Sequence, residues 1–329
     1  MLNAVIVGLG RWGQTLVEAV QTEGRPKGEL IRFVRGVTRT PAKAAAFAER
    51  HRMPLGDDYA AALADPQVEA VVLATPHSQH AEQIRAAAAA GKHVFVEKPL
   101  TLTKASAEEA TAACAKAGVL LALGHNRRFL PAMHELKRLA GDGTLGRILH
   151  VEGNISGPGA FSYPPGMWRA MPEESPAGGM TAMGIHVVDA MIHLCGPIAW
   201  VQAQSFRQAL EIGIDDTTSM LFRFRSGISG YLGTIAATAR VWRIQLFGTK
   251  GWAHMRDNEV MDLALVDGRS ETRTFPKTDI ERAELEAFAR AVAGGPAYPL
   301  PADEAIAGVA ALEAIVASAA RDGARVTVA

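Results

Sequence analysis

The sequence predicts an α/β protein that begins with a doubly wound parallel sheet and continues into an α+β domain with a large, mostly antiparallel open sheet. Three observations predict this. Short strands rich in Val, Ile and Leu alternate with alanine-rich helical segments over residues 3–124. A glycine-rich turn follows the first strand. From residue 147 onward, strands bounded by turn residues dominate, which is typical of antiparallel pairing.

The N-terminal region contains five predicted strands with helices between them. The predicted strands are 3–7, 31–37, 68–74, 93–97 and 119–124, and the predicted helices are 13–22, 42–51, 78–90 and 104–117. Strands that are apolar throughout are typical of a parallel sheet covered on both faces. Helices between such strands predict right-handed crossovers.

In the C-terminal region the predicted strands no longer alternate regularly with helices. Its predicted helices are 129–139, 185–194, 279–292 and 302–320, and its predicted strands are 147–155, 200–206, 218–224, 228–235, 242–248 and 251–255. A Gly/Pro-rich loop over 156–179 is too long to be a simple connector. We therefore expect two domains. Residues 1–124 bind a dinucleotide, and residues 125–329 bind substrate and mediate oligomerisation, with the last helix able to pack back on the first domain.

Composition and charge narrow the class of protein. The 329 residues are 48% hydrophobic with a formal net charge of zero, which is typical of a globular chain and excludes a broad electrostatic affinity for nucleic acid or membranes. The N-terminus lacks the features of a secretory signal, and no apolar segment is long enough to cross a bilayer. Cys114 and Cys195 lie far apart in apolar contexts, which favours buried thiols. We expect a cytoplasmic enzyme.

A glycine motif marks the expected nucleotide site. Gly8, Gly10 and Gly13 follow a strand and open a helix, with Arg11 and Trp12 between the last two. Glycines permit the tight turn and the close approach of backbone to a pyrophosphate, which the helix N-terminus attracts. The position of this motif at the start of a strand–helix–strand unit predicts a Rossmann dinucleotide site.

The end of the second strand indicates which nucleotide is bound. NAD-binding sites usually carry Asp or Glu there, whereas this chain has Thr38, Arg39 and Thr40. The threonines can donate hydrogen bonds to a 2′-phosphate, and Arg39 can pair with it or stack on the adenine. NADP(H) is therefore favoured and NAD(H) stays possible. In the alternative interpretation, Arg39 is solvated, Thr40 caps the next helix, and Lys43 is only a surface charge of that helix.

The chain as a whole resembles the Gfo/Idh/MocA oxidoreductase family, which includes glucose–fructose oxidoreductase and inositol dehydrogenase. The segments that carry the resemblance are V-I-V-G-L-G-R-W-G at 5–13, V-L-A-T-P-H-S-Q-H-A at 72–81, G-K-H-V-F-V-E-K-P-L at 91–100, G-H-N-R-R-F at 124–129, W-R from 168, G-G-M-T-A-M-G-I-H-V-V-D at 178–189 and D-D-T-T from 215. The resemblance implies a Rossmann domain and a C-terminal domain whose open sheet forms a homodimer or homotetramer. It also implies hydride transfer without a metal.

The resemblance also assigns roles to single residues. Lys98 of the E-K-P step is the expected catalytic residue, since its ammonium can polarise a carbonyl or exchange a proton with a hydroxyl. Pro99 is expected to follow an unusual peptide bond. The further predicted nucleotide contacts are Ala74, Thr75, Pro76, His77, His80, Glu97, Lys98, Asn126 and Arg127.

His186 is the second predicted catalytic residue. Relatives often carry Asp-x-Gly-x-His here, with the Asp one helical turn before the histidine, whereas this chain has Ala182 in that position. An alanine cannot relay a proton, so the usual arrangement is incomplete. The predicted substrate contacts are Lys98, Trp168, Arg169, Met183, His186 and Asp189.

The departure at position 182 leaves four interpretations open. Lys98 and His186 suffice with the help of water, or Lys98 alone moves the proton while His186 binds a substrate oxygen. Alternatively, Glu173 or Glu174 of the long loop supplies the missing carboxylate. In the fourth interpretation the substrate is not a simple polyol, and the enzyme reduces a carbonyl or imine.

The leading prediction is a dehydrogenase or reductase that transfers hydride between NADP(H) and a secondary alcohol or ketone, on a sugar, a cyclitol or a related hydroxylated compound. The alternatives are a non-catalytic protein that senses the nucleotide and an NAD-dependent glycosidase of the same fold. We expect no metal site, because His77, His80 and His125 come from separate loops that lack carboxylate or cysteine partners.

Overall fold

The computed structural model describes residues 1–164 and 166–329, and these form two compact units. The first unit comprises Met1–Thr101, Ala105–Asn126 and Asp279–Ala302, and the second comprises Leu102–Lys104, Arg127–Thr278 and Asp303–Ala329. The helices and strands follow in chain order: β1 (Leu2–Val7), α1 (Arg11–Val20), β2 (Gln21–Thr22), β3 (Arg25–Pro26), β4 (Ile31–Val37), α2 (Pro41–Arg50), β5 (Leu55–Gly56), α3 (Tyr59–Ala64), β6 (Ala70–Leu73), α4 (His80–Ala89), β7 (His93–Glu97), α5 (Lys104–Ala117), β8 (Leu121–Gly124), α6 (Pro131–Gly141), β9 (Ile148–Ser156), α7 (Ile185–Cys195), β10 (Ile198–Phe206), β11 (Thr217–Phe224), β12 (Ser229–Ile235), β13 (Val241–Gly248), β14 (Gly251–Met255), β15 (Val260–Leu265), β16 (Ser270–Thr274), α8 (Ile280–Val292), α9 (Ala302–Ala319) and β17 (Val326–Thr327).

The first unit is built on a parallel six-stranded sheet in the order β5-β4-β1-β6-β7-β8. The central strands β1 and β6 are buried along most of their length, as continuous apolar runs predict. All strands run in the same direction, so their carboxyl ends lie at one edge of the sheet, where ligands of such folds bind.

A segment from far along the chain completes this core. The ring of Phe95 in β7 meets Phe288 of α8 at 5.8 Å and Tyr298 at 6.5 Å between ring centroids. The Tyr298 hydroxyl donates to the backbone oxygen of Leu123 at 3.0 Å. Helix α8 therefore belongs to the first unit. Helix α9 belongs to the second unit from Asp303 onward, and its packing on the first domain stays a prediction.

The second unit is built on a nine-stranded sheet in the order β16-β15-β14-β13-β9-β12-β11-β10-β17. Neighbouring strands are antiparallel except β9 and β12, which are parallel. Helix α7 lies close to β9 because Gly153 has no side chain: a Cβ there would stand 2.3 Å from the Val187 side chain. On the other face of the sheet, Leu221 and Tyr231 are exposed.

The α/β fold class predicted from the sequence is confirmed, and β4, β7, α5 and β14 have the predicted bounds to the residue. The sequence analysis missed β15 and β16, which extend the second sheet. β16 is a mostly exposed, polar edge strand, so it has no apolar alternation to reveal it. It also missed the short α3, whose six residues are too few for a periodic pattern.

Within the described part of the chain, none of the helices combines the length and the apolar character that a membrane span requires. Cys114 and Cys195 are both buried and free, as predicted. Burial raises the pKa of the Cys114 thiol to about 11 and that of the Cys195 thiol to about 12, so neither is poised as a nucleophile.

Candidate active site

The turn between β1 and α1 has a shape that only glycines permit. Gly8 has a φ of +94°, and a Cβ there would lie 2.5 Å from the backbone oxygen of Ala74. A Cβ on Gly13 would lie 1.9 Å from the Gly8 oxygen, whereas Gly10 has open space around it. Gly8 and Gly13 thus allow backbone segments to approach each other closely, and Gly10 leaves room beside the N-terminus of α1. This cradle fits the pyrophosphate of a dinucleotide. Arg11 and Trp12 occupy the first turn of α1.

The segment after β4 presents Thr38, Arg39 and Thr40 at the same edge of the sheet. The Thr38 amide is held by the Gly56 oxygen at 2.9 Å, while the Arg39 and Thr40 side chains are exposed. Thr40 precedes α2, but its side chain makes no capping hydrogen bond. The capping role considered for Thr40 is therefore not observed. An exposed arginine between two hydroxyls fits a phosphate.

The segment after β6 is held by an internal network. The Thr75 hydroxyl lies 2.6 Å from Gln83 Oε1. His80 is fully buried, with Nδ1 2.9 Å from the Pro99 oxygen and Nε2 3.2 Å from the Thr75 oxygen. It therefore joins the loop after β6 to the loop after β7, and the nucleotide contact predicted for His80 stays a prediction. His77 is buried and packs edge-on against His80. The described residues include no group of three His, Cys, Asp or Glu side chains that could hold a metal ion.

Glu97 ends β7 at the same edge of the sheet, and Lys98 follows it directly. Glu97 pairs with Gly124 of β8, where a Cβ would lie 3.0 Å from Glu97 Oε1 and 3.1 Å from the Phe95 ring. Gly124 thus makes room for the carboxyl of Glu97. The Lys98 amide donates to Glu97 Oε2 at 3.3 Å, and the Lys98 side chain is half-buried. The Lys98–Pro99 peptide bond is cis, as the family resemblance implied.

The sequence analysis missed a buried acid that belongs to this cluster. Glu284 on α8 is fully buried, and burial raises its pKa well above the usual range, with further contributions from the charges of Glu97 and Glu281. Asn126 follows β8 and donates from Nδ2 to Glu281 Oε1 at 3.0 Å, so the predicted contact residue Asn126 joins the same cluster. A signal was present: Ile280, Glu284 and Phe288 repeat every four residues along one helix face.

The predicted substrate residues belong to the second unit, apart from Lys98. His186 is the second residue of α7 and is half-buried. A π-helical turn, Met180–Gly184, precedes it and contains Ala182 and Met183. Such turns are frequent at functional sites because they shift the side chains that follow.

Asp189 is bound to an arginine that the sequence analysis did not single out. Arg128 is 3% exposed and donates from Nε at 2.9 Å and from Nη2 at 2.7 Å to the Asp189 carboxylate. Its Nη2 also lies 2.6 Å from Glu304 Oε2. The hydrogen bond from His193 and the charge of Arg128 lower the pKa of Glu304 to about 2. Asp189 therefore holds Arg128 inside the second unit, and its predicted substrate contact stays a prediction.

The long loop presents Trp168 and Arg169 on one short turn. The Arg169 guanidinium lies 4.1 Å from the Trp168 ring centroid, a cation–π contact. Glu173 is exposed and Glu174 half-buried, so neither is enclosed by the core. Arg127, predicted to contact nucleotide, belongs to the second unit.

Arg127 is engaged there by two side chains. Its guanidinium lies 4.2 Å from the Trp242 ring centroid, and its Nη1 donates to Asn258 Oδ1 at 2.8 Å. The nucleotide contact predicted for Arg127 therefore stays a prediction.

Two family models match this chain, one in its N-terminal part and one in its C-terminal part. A model described as an oxidoreductase family with an NAD-binding Rossmann fold matches residues 2–125, and a GFO/IDH/MocA C-terminal domain model matches residues 133–254. D-xylose 1-dehydrogenase (NADP(+)) 2 of Haloferax volcanii is 31% identical, with 97% of each chain covered. Trans-1,2-dihydrobenzene-1,2-diol dehydrogenase of Mus musculus is 29% identical over 71% of this chain and 68% of its own.

Solved structures agree with this fold along the whole chain. Aldose-aldose oxidoreductase of Caulobacter crescentus, complexed with glycerol, has a TM-score of 0.86 and 26% identity, with 99% of each chain covered. Levoglucosan dehydrogenase in complex with NADH and levoglucosan has a TM-score of 0.87, 23% identity and the same coverage, which shows a shared fold.

Proposed function

The chain belongs to the Gfo/Idh/MocA oxidoreductase family, and we propose that it transfers hydride between NADP(H) and a secondary alcohol or ketone of a sugar, cyclitol or related hydroxylated compound. It is an NAD(P)-dependent oxidoreductase by family. The observation that carries the proposal is the position of Lys98, which directly follows β7 at the sheet edge where the Gly8–Gly13 cradle also opens.

A preference for NADP(H) over NAD(H) rests on the segment after β4. Thr38 and Arg39 stand where an acid would otherwise repel a 2′-phosphate, and Arg39 and Thr40 are exposed. The name of the xylose dehydrogenase relative includes NADP(+), which supports this preference. The levoglucosan dehydrogenase complex holds NADH, so use of both nucleotides also fits the fold.

The chemistry divides between the nucleotide and the side chains. A bound nicotinamide supplies or accepts the hydride. Lys98 donates a proton to the substrate oxygen during reduction and accepts it during oxidation. His186 is the second acid–base group and orients a substrate oxygen. Because Ala182 offers no carboxylate to tune His186, we assign the larger share of proton transfer to Lys98.

The names of the relatives support the proposed substrate class. Xylose, dihydrobenzenediol and levoglucosan all carry neighbouring hydroxyl groups, and dihydrobenzenediol and levoglucosan are ring compounds. Trp168 stacked by Arg169 suits such a compound, because an aromatic ring packs on C–H faces and a guanidinium binds hydroxyl oxygens.

The first experiment is a titration of the purified protein with NADPH and NADH, followed by turnover of a panel of aldoses, cyclitols, cyclic diols and the matching ketones. We expect tighter NADPH binding and turnover of at least one hydroxylated substrate. Tight binding without turnover across the panel would contradict the proposal and favour a nucleotide sensor. Release of a sugar leaving group with non-exchanging NAD would favour a glycosidase.

We also propose a homodimer or homotetramer formed through the open face of the nine-stranded sheet. The side chains of Leu221 and Tyr231, which pair across β11 and β12, are 52% and 36% exposed on that face. Glu152 and Arg243 form an ion pair of 3.4 Å on the same sheet, so the face carries both signs of charge and suits a second copy of itself. Light scattering after size exclusion tests this, and a monomer at all concentrations would contradict it.

A cytoplasmic location is a further proposal. It is supported by the two buried, unpaired thiols, which suit a reducing compartment. Localisation of the tagged full chain in its own host tests it.

A further inference from the structure

The carboxyl of Glu284 lies in the interior of the first unit. The residue is 0% exposed, and neither carboxyl oxygen has a hydrogen-bond partner among residues 1–164 and 166–329. An ionised carboxylate in such a place is strongly unfavourable, and the group avoids that cost by taking up a proton. No step assigned to Lys98 or His186 accounts for an acid in this position.

The packing of α8 on β7 places Glu284 beside the end of β7. Phe288 contacts Phe95, and Glu284 lies one helical turn before Phe288 on the same face of α8. Glu97 lies two residues after Phe95, hence on the same face of the strand. The acid on the helix and the acid on the strand therefore flank the same aromatic contact.

Three charged groups act on Glu284 at this point. The negative charges of Glu97 and Glu281 add to burial in raising its pKa, and the positive charge of Lys98 lowers it. Burial is the largest of these effects. The interaction with Lys98 is mutual, because two coupled groups shift each other's titration equally.

Helix α1 and strand β4 also pack on α8, and their described residues bring no opposite charge to Glu284. The buried face of α1 consists of apolar residues such as Leu16, Val17 and Val20, and its Arg11 and Glu18 are exposed. The two arginines of β4 are held by other partners: Arg32 donates to Asn3, and Arg35 pairs with Asp65. His125, which follows β8, and Tyr298, which contacts Phe95, are further buried titratable side chains of the first unit.

Resting on the proposed function, in which Lys98 exchanges a proton with substrate, we propose that Glu284 is a positioning residue that acts on Lys98. Near neutral pH the buried carboxyl of Glu284 holds a proton. When Glu284 ionises, its negative charge makes Lys98 retain its own proton. Lys98 therefore releases its proton most readily while Glu284 is neutral. Turnover then depends on the ionisation of Glu284 as well as on that of Lys98.

The matched variants are Glu284→Gln and Glu286→Gln. Glu286 lies on the same helix, but its carboxylate is paired with Arg282 at 2.6 Å and with Arg290 at 3.1 Å. Glutamine keeps the shape of a protonated glutamate and cannot ionise. Glu284→Leu, apolar and of similar volume, serves if the buried amide impairs folding.

Infrared spectroscopy of the whole protein at neutral pH tests the protonation. We expect the carbonyl band of a protonated carboxylic acid in the natural protein and in Glu286→Gln, and its loss in Glu284→Gln. A natural protein without this band, or a band that survives in Glu284→Gln, would overturn the proposal.

An NMR titration of the Lys98 side chain, assigned with Lys98→Met, tests the coupling. In Glu284→Gln we expect the titration midpoint of Lys98 to fall by about half a pH unit or more, because the negative charge that Glu284 gains as the pH rises toward the Lys98 titration is absent from the variant. In Glu286→Gln it should not move. A Lys98 curve identical in all three proteins would reduce Glu284 to a structural role. Neither measurement needs turnover, so each gives its answer even if the substrate panel fails.

Discussion

In the second unit Arg128 is enclosed by two carboxylates, whereas in the first unit Glu284 is enclosed by apolar side chains and further acids. Both residues are almost completely removed from solvent. Arg128 keeps its charge because Asp189 and Glu304 satisfy it at 2.6–2.9 Å. Glu284 has no such partners in the described structure, and its favourable form is neutral.

The difference separates two uses of a buried ionisable group. A paired charge fixes packing, and it resists titration near neutral pH. A carboxyl whose pKa is raised by burial and by like charges belongs to a class of groups that accumulate at catalytic sites. This contrast supports the proposed proton transfer at the end of β7, and it supports a structural role for the network around Arg128.

The largest expected effect comes from Lys98→Met. Removal of the proposed proton donor should lower kcat by about 10²–10⁴-fold and leave the Kd for NADPH almost unchanged. The measurement is steady-state kinetics alongside nucleotide titration. Lys116→Met, an exposed lysine at the end of α5, is the matched control. Retained turnover in Lys98→Met would remove Lys98 from the mechanism.

Asp189→Asn tests the second unit. The amide leaves the Arg128 charge buried and only half paired, so we expect the free energy of unfolding to fall by about 3–5 kcal/mol. Urea unfolding of the variant against the natural protein measures this loss. Asp267→Asn, which removes an exposed pair with Arg269, should change little. A small loss in Asp189→Asn would show that the network is not structural and would favour the substrate contact predicted for Asp189.

Arg39→Ala should alter nucleotide choice without altering either buried cluster. We expect the Kd for NADPH to rise about tenfold or more, as for loss of a charged hydrogen bond, and the Kd for NADH to change much less. Fluorescence titration with both nucleotides measures this difference. Lys43→Ala, a change to an exposed charge on α2, is the control. Equal losses for the two nucleotides would refute the assignment of Arg39 to the 2′-phosphate.

The smallest expected effect concerns acid stability of the second unit. The pKa of Glu304 is lowered from 4.5 to about 2 by His193 and Arg128, so its ionised form stabilises the fold above its usual pKa. This contribution is lost as the pH falls from the usual value toward the lowered one. Thermal unfolding should therefore separate Glu304→Gln from the natural protein near neutral pH, and the two should converge as the pH falls to about 2. A constant difference at all pH values would contradict the assignment.

Much of the nucleotide half of the candidate site could be predicted because its signals are local. Gly8, Gly10 and Gly13 have a fixed spacing after an apolar strand, and Lys98 follows another such strand. Backbone geometry and strand order then bring them to one edge of the sheet. The roles of Arg128 and Glu284 could not be predicted in this way, because their partners lie on segments distant in the chain.

The sequence by itself determined the fold class and the position of the glycine cradle, since apolar periodicity and backbone constraints act between near neighbours in the chain. The catalytic role of Lys98 is a prediction that the family resemblance implies. Tertiary structure alone decided that α8 completes the first unit, that Asp189 is bound by Arg128, and that Glu284 is buried beside Glu97. The physical reason is that the charge state of an ionisable side chain depends on which distant groups exclude water from it and which of them carry charge.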